Sequence, residues 1–268
     1  MRARCRRSGR FRPSGTSRAS GRASRVAAAA LLLATLAPTG GWVAGAAGSH
    51  YAGEFHFARL VYTDSAYNGR FRGGWWQQDW PEAEEHFLKN LVRLTRVSAG
   101  EPAVFRLTDD TLFDHPWLYA TQVGYWDLSD DECARLREYL LRGGFMMADD
   151  YWGESERAVF DATMARVFPD RAIVDIPPDD PVLHVVFSID EFTQIPGLRH
   201  VGYGEISRLP APRWRGIYGD DGRLLVAMNY NQDVGDSWEE ANNPQYPEPM
   251  TALGYRFGVN YVVYAMTR

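Results

Sequence analysis

Asp149 and Asp150 follow directly on the apolar run Phe145-Met146-Met147-Ala148. A strand of that composition is buried on both faces, and in a parallel α/β sheet ligands sit at the carboxyl ends of strands. Two carboxylates delivered there could share a divalent cation through their oxygens. Alternatively, one could act as general base while the other orients it. Adjacent strand residues point to opposite faces, so both converge only if the chain turns at once; Tyr151-Trp152-Gly153 permits such a turn. The competing role for Asp150 is to cap the helix that follows.

A second oxygen-rich cluster is Asn231-Gln232-Asp233-Val234-Gly235-Asp236-Ser237-Trp238-Glu239. It lacks the glycine and terminal glutamate spacing of a calcium loop, and a turn rich in Asn, Asp and Gly also explains it. Folded over the first pair, it would complete a carboxylate-lined pocket with Asp149, Asp150, Asp233 and Asp236 as metal ligands and Asn231 and Trp238 as ligand contacts. His184, four residues after Asp180, could assist as base, or it could be structural beside the Val185-Val186-Phe187 run. Trp75, Trp76 and Trp152 could stack on a sugar ring or clamp another ligand; filling a core is the other use of such side chains. No cofactor is implied beyond a possible divalent metal.

Several chemistries are excluded. There is no Gly-x-Ser-x-Gly elbow, phosphate loop, His-Glu-x-x-His, paired-cysteine zinc spacing or dinucleotide fingerprint. Cys133 falls on the inward stripe of a helix, the place of a small buried hydrophobe.

The elements that must position these residues are legible from patterning. Residues 55–62 suit a first strand. Residues 69–80 form a glycine- and tryptophan-rich loop, and Pro81 opens a helix with Phe87, Leu88, Leu91 and Leu94 inward. Residues 103–107 and 118–123 read as strands. Ser129 and Glu132 form a capping box for the next helix, and Gly143 ends it. Strand 145–148, a helix through Val167 and strand 172–176 follow. Strands alternating with helices predict a parallel sheet with right-handed crossovers, as in a three-layer α/β sandwich. The stretch from Pro177 to Pro249 reads as an irregular excursion with a hairpin over 217–231, ahead of a buried carboxyl-terminal helix over 250–267.

Residues 1–47 carry nine arginines and no acid, followed by an uncharged stretch from Val26 to Ala47. The apolar part, Val26 to Leu36, is too short to span a bilayer, and Ala44-Gly45-Ala46 supplies a small-x-small cleavage site. This is the pattern of a signal peptide, with an uncleaved anchor as the alternative. Residues 48–268 then form a single exported domain, periplasmic or extracellular. Taking the nine leader arginines from 29 basic residues leaves 20 against 34 acidic ones, a net charge of −14. Such a domain is a poor partner for nucleic acid or anionic membrane surfaces. Cys133 is its single cysteine, so no intramolecular disulfide forms.

Phe57-Ala58-Arg59-Leu60-Val61-Tyr62, the run Leu136 to Phe145, Asp149-Asp150-Tyr151-Trp152-Gly153, Gly235-Asp236-Ser237-Trp238-Glu239 and the run Gly258 to Thr267 together resemble the bacterial domain-of-unknown-function 4159 family. The resemblance covers nearly all of residues 55–267. It implies a sheet similar to that of class I glutamine amidotransferases, and an envelope setting beside von Willebrand-type and MoxR-type genes. It implies no activity. Amidotransferases place a nucleophilic cysteine at a strand-to-helix elbow, where this chain has Asp149 and Asp150. The expectation is a non-catalytic domain that binds a ligand, carbohydrate or peptide, or an envelope protein. The alternative is a metal-assisted hydrolase of a glycan or peptide using Asp149, Asp150 and His184.

Cleavage after Ala47 would expose Gly48-Ser49-His50, whose amine, amides and imidazole can wrap Cu(II) in a square plane. Amino-terminal sequencing of the exported protein should then read Gly-Ser-His, with one Cu(II) bound per chain; a start one residue earlier removes the site.

Overall fold

The computed structural model describes residues 53–65, 74–204 and 206–268. The leader, the Gly48-Ser49-His50 segment and residues 69–73 of the tryptophan-rich loop lie outside them. Seven strands form one sheet: β1 (Ala58–Leu60), β2 (Ala103–Phe105), β3 (Trp117–Ala120), β4 (Phe145–Tyr151), β5 (Val174–Asp175), β6 (Arg213–Tyr218) and β7 (Leu224–Tyr230). Their order is β2-β1-β3-β4-β7-β6-β5. The first five in that order are parallel, and β6 and β5 are antiparallel to their neighbours.

The sheet is therefore mixed rather than wholly parallel. The hairpin expected within an excursion is instead built into the sheet, with β7 beside β4. All seven residues of β7 are buried, and this apolar content draws it to the centre. Val174 and Asp175 of β5 are exposed, which keeps that strand at the edge.

Among the described residues six α-helices complete the layers: α1 (Glu82–Leu94), α2 (Asp130–Leu141), α3 (Gly153–Val167), α4 (Leu198–Gly202), α5 (Val234–Glu239) and α6 (Glu248–Thr267). The period of two along a strand decides which face each residue serves. Phe57, Trp117, Tyr119, Phe145 and Met147 meet Phe87 of α1, Trp238 of α5 and Phe257 and Tyr261 of α6 on one side. Ala58, Leu60, Leu118, Ala120, Met146 and Ala148 meet Leu136 and Leu140 of α2 and Phe160 and Met164 of α3 on the other. The result is a three-layer α/β sandwich. Leu94, expected to face inward, is 49% exposed because α1 ends there. Ser129 and Glu132 form the expected capping box at α2, and Gly143 takes φ 116° just beyond its end.

The chain leaves β1 for β2 on one side and returns to lay β3 on the other. This reversal makes a topological switch point at the carboxyl ends of β1 and β3, the usual place for a ligand in an open α/β sheet. The Tyr62 hydroxyl donates across it to the carbonyls of Thr121 and Gln122, at 2.9 and 3.0 Å.

No helix among the described residues is long and apolar enough to cross a membrane. The apolar α6 instead packs inside the domain, brought close by Gly258. A Cβ there would lie 2.5 Å from the Phe87 ring and 2.6 Å from the Trp238 ring. Gly258→Ala should therefore destabilise the domain by about 1–3 kcal/mol through overpacking, despite alanine's better helix propensity. Urea denaturation checks this, and a variant as stable as the parent would show that the rings yield.

Candidate functional site

Four non-glycine residues among those described have positive φ: Asp79 (64°), Gln122 (52°), Asp150 (49°) and Asn231 (58°). Asp79 is in the segment after β1, Gln122 follows β3, Asp150 lies in the last turn of β4, and Asn231 follows β7. Each conformation costs on the order of 1 kcal/mol or more, and such residues gather where function over-determines the backbone. Here all four gather at the carboxyl edge of the parallel strands.

Asp149 continues the Phe145-Met147 face and is completely buried. Its Oδ2 accepts from the Tyr119 hydroxyl at 3.0 Å and the Gly235 N–H at 2.8 Å, and its Oδ1 accepts from Asn229 Nδ2 at 3.3 Å. These donors engage both of its oxygens and tie β4 to the start of α5. Asp150 turns differently. The pairing of β4 with β7 shifts register between Ala148 and Tyr151, and this irregularity with the positive φ supplies the turn that convergence needs. The Asp150 carboxylate accepts from Gln122 Nε2 and from Trp152 Nε1, the latter at 2.6 Å. It does not cap α3: the Gly153 N–H is taken by Asn231 Oδ1 at 2.9 Å.

The second cluster folds over the first. Asp233 caps α5 by accepting from the Asp236 N–H at 3.0 Å. Asp236 accepts from the Leu198 N–H and shares a carboxyl–carboxyl hydrogen bond with Glu239. A Cβ on Gly197 would lie 2.7 Å from Asp233 Oδ2 and 3.1 Å from Asp236 Oδ2, so only glycine lets both acids approach that backbone. Asp79 completes the group from the β1 side. Its Oδ1 accepts from Gln78 Nε2 at 2.7 Å, while its Oδ2 is buried with no hydrogen-bond partner. Ligand atoms of Asp79, Asp236 and Glu239 all lie within 4.8 Å of one another, a spacing that could hold a metal ion.

Burial and mutual repulsion hold these carboxyls protonated far above their ordinary range. Burial pushes Asp149 up to about 6. Burial and then Asp236 push Asp79 up to about 7, and burial and then Asp79 push Glu239 up to about 9. Asp150 and Asp233 are raised well above their usual values, first by burial and next by Asp79 and Asp150 respectively. Asp236 is also raised by burial, against the pull of the Leu198 N–H.

The family model for the domain of unknown function DUF4159 matches residues 56–266. The chain belongs to the DUF4159 family. No curated protein matches it.

The match encloses every acid of the cluster, and the DUF4159 domain places the other expected site residues as follows. Asn231 ties Gly153 to Ala211, accepting from the former and donating to the Ala211 carbonyl at 2.8 Å. Trp238, expected to contact ligand, is instead fully buried against Phe57, Phe87 and Tyr119, because α5 turns that face onto the sheet. His184 is exposed and bonds the Pro178 carbonyl through Nε2 at 2.7 Å, with no carboxylate of the cluster among its partners. Trp75 is half-buried and stacks on Tyr125 at 4.6 Å. The Trp76 carbonyl accepts from Arg59 Nη1 at 2.9 Å. Trp152 stays beside the acids, its ring 5.2 Å from that of His200.

Sequence reasoning missed Asp79, Gln122, Glu239 and the buried pair Arg59–Glu84. Arg59 was readable: a charged residue on the inward alternation of an apolar strand needs a buried counter-charge. Asp79 stands two residues before Pro81, where an acid reads as part of the start of a helix, and nothing in the spacing of Gln122 marks it.

In the unfolded chain these acids titrate near the ordinary values of 3.8 for Asp and 4.5 for Glu. The native state therefore binds more protons than the unfolded one up to the raised folded values, and stability falls as pH rises through that window. In chelator, the melting temperature should be highest near about pH 5 and decline toward about pH 9. A melting temperature that rises across this range would show the acids to be ionised and paired.

Proposed function

We propose that the chain is exported and that its DUF4159 domain binds an oxygen-rich envelope ligand, carbohydrate or peptide, through a divalent cation held by Asp79, Asp236 and Glu239. The observation that carries this reading is Asp79 Oδ2, a buried carboxylate oxygen without a hydrogen-bond partner in a three-acid group of metal-ligating spacing. Such an oxygen costs about 1–3 kcal/mol unless something positive meets it. A donor set of carboxylate oxygens suits Ca²⁺, Mg²⁺ or Mn²⁺ better than Zn²⁺. Asp236 and Glu239 are half-buried, which leaves coordination positions for ligand oxygens. Trp152, also half-buried, offers a face for stacking.

Export rests on the arginine-rich leader and its apolar run, and the net charge of −14 in the remaining chain argues against nucleic acid. The rival reading is metal-assisted hydrolysis of a glycan or peptide. It is favoured by one observation, that Asp79 is pushed up to about 7, where a carboxyl can both take and give a proton. Turnover of such substrates in the presence of the active cation would decide for the hydrolase.

Thermal melting of the full-length protein with Ca²⁺, Mg²⁺, Mn²⁺ and Zn²⁺ tests the cation site. Saturation at about a hundred times the dissociation constant adds about 2.7 kcal/mol, roughly 5–10 °C for a domain of this size. Asp79→Asn should abolish that shift. In chelator, above about pH 7, the same variant should melt higher than the parent, because Asp79 is ionised there without a partner and the amide is not. No cation shift, or a shift that Asp79→Asn leaves intact, would overturn the assignment.

A further inference from the structure

A second charged site lies on the opposite side of the sheet. Arg213 and Arg215 are two apart on β6 and so share a face, while Trp214 between them packs on Phe257 at 5.1 Å in the core. Against the arginine face α3 lays Glu154, Arg157 and Asp161. Glu154, Arg157, Arg213, Arg215 and Tyr230 line a cavity of ≈ 250 Å³. Three guanidiniums and one carboxylate face this space, on a domain whose overall charge is strongly negative.

The decisive residue is Arg215. Its side chain is 18% exposed, yet its nearest carboxylate oxygen, Asp161 Oδ2, is 3.7 Å away. That is too long for a hydrogen bond, and the guanidinium makes none to any described residue. Its nitrogens open onto the cavity rather than into the core, and a guanidinium so placed has five donors to offer carboxylate, phosphate or carbonyl oxygens. The flanking arginines are only loosely engaged. Arg157 pairs with Glu154, whose side chain is 85% exposed, and with Asp161 at 3.0 Å; Arg213 pairs with Asp175, which is 58% exposed. The pairs with the open carboxylates of Glu154 and Asp175 contribute little and yield to a better partner.

We propose that this cavity binds an oxyanion, the carboxylate or phosphate group of a ligand, with Arg215 as the central donor and Arg157 and Arg213 as flanking ones. Guanidinium forks match planar and tetrahedral oxyanions with paired hydrogen bonds. Tyr230, 7% exposed, forms the inner wall. It pairs in register with Tyr151, which directly follows Asp150, so the oxyanion cavity sits at the same carboxyl edge as the acidic cluster. The proposal stands whether or not that cluster takes a cation.

The test is a calorimetric titration of the full-length protein, in chelator and at constant ionic strength, with inorganic phosphate, glucuronate and chloride. Phosphate or glucuronate should bind saturably in the low-millimolar range and chloride should not. The stronger of the two oxyanions tells whether the natural group is phosphate or carboxylate. Arg215→Met should weaken binding at least tenfold, and Arg213→Gln, at an exposed position, severalfold without risk to folding. Asp79→Asn should bind as the parent does. Absence of saturation below about 50 mM for both oxyanions would overturn the proposal, as would unchanged affinity in Arg213→Gln together with folded Arg215→Met.

Discussion

Arg59 comes from the middle of β1 and is completely buried, where it pairs with Glu84 of α1 and donates to the carbonyls of Trp76 and Gln78. Its guanidinium also lies 5.0 Å from the Tyr119 ring and 5.8 Å from the Trp80 ring. Taking two charges out of water costs several kcal/mol per ion, which the mutual attraction of the pair and the hydrogen bonds of Arg59 Nη1 offset. The groups around this guanidinium belong to the same segments that carry the site. The two carbonyls fix the segment ending in Asp79. Tyr119 donates to Asp149, and Asp149 in turn holds the Gly235 N–H at the start of α5. The geometry of Asp233, Asp236 and Glu239 thus descends, contact by contact, from one guanidinium.

Asp149 and Asp150 show how neighbours of the same type acquire different duties. Asp149 faces three donors and is held as a structural acceptor. Asp150 meets two donors but is raised by Asp79, Asp149 and Asp236 as well as by burial. Two ionised carboxylates 4 Å apart repel by about 4 kcal/mol at an effective dielectric constant of about 20. Asp79, Asp150, Asp233, Asp236 and Glu239 cannot all be charged within one buried region without compensation. Either protons or a cation must enter. Arg59 supplies part of that compensation to Asp79, but its charge is already committed to Glu84.

The layers and most strand positions were legible in the sequence because they follow from periodicity, whereas the meeting of the two acidic segments was one alternative beside a simple turn. The run 145–148 could only be a buried strand, and the capping box at Ser129 could only start a helix. The place of β7 was less visible, since a hairpin signal fixes which strands pair with each other and not which neighbour receives the pair. Trp238 misled because an aromatic beside acids reads as a ligand contact, whereas the turn of α5 decides which way it points. Asp79 was hidden for a related reason: its segment reaches the cluster through Arg59, a contact between residues distant in sequence. Tertiary pairings of this kind leave no local spacing to read.

The alternation of a strand also separates the two charged sites. On β4 the residues of one parity lead to Asp149 and the α1, α5 and α6 side. On β6 the residues flanking Trp214 lead to the arginines and the α3 side. Opposite charges are thereby delivered to opposite faces of one sheet edge, with Tyr151, Tyr230 and Phe160 packed between. Had the guanidiniums faced the acids, they would have neutralised them as Arg59 does Glu84, and neither set would keep unspent capacity for a ligand. The separation leaves Asp79 Oδ2 unpartnered on one side and the donors of Arg215 unspent on the other. Asp79 Oδ2 is out of reach of water, and its retention costs stability that a purely structural edge would not forgo.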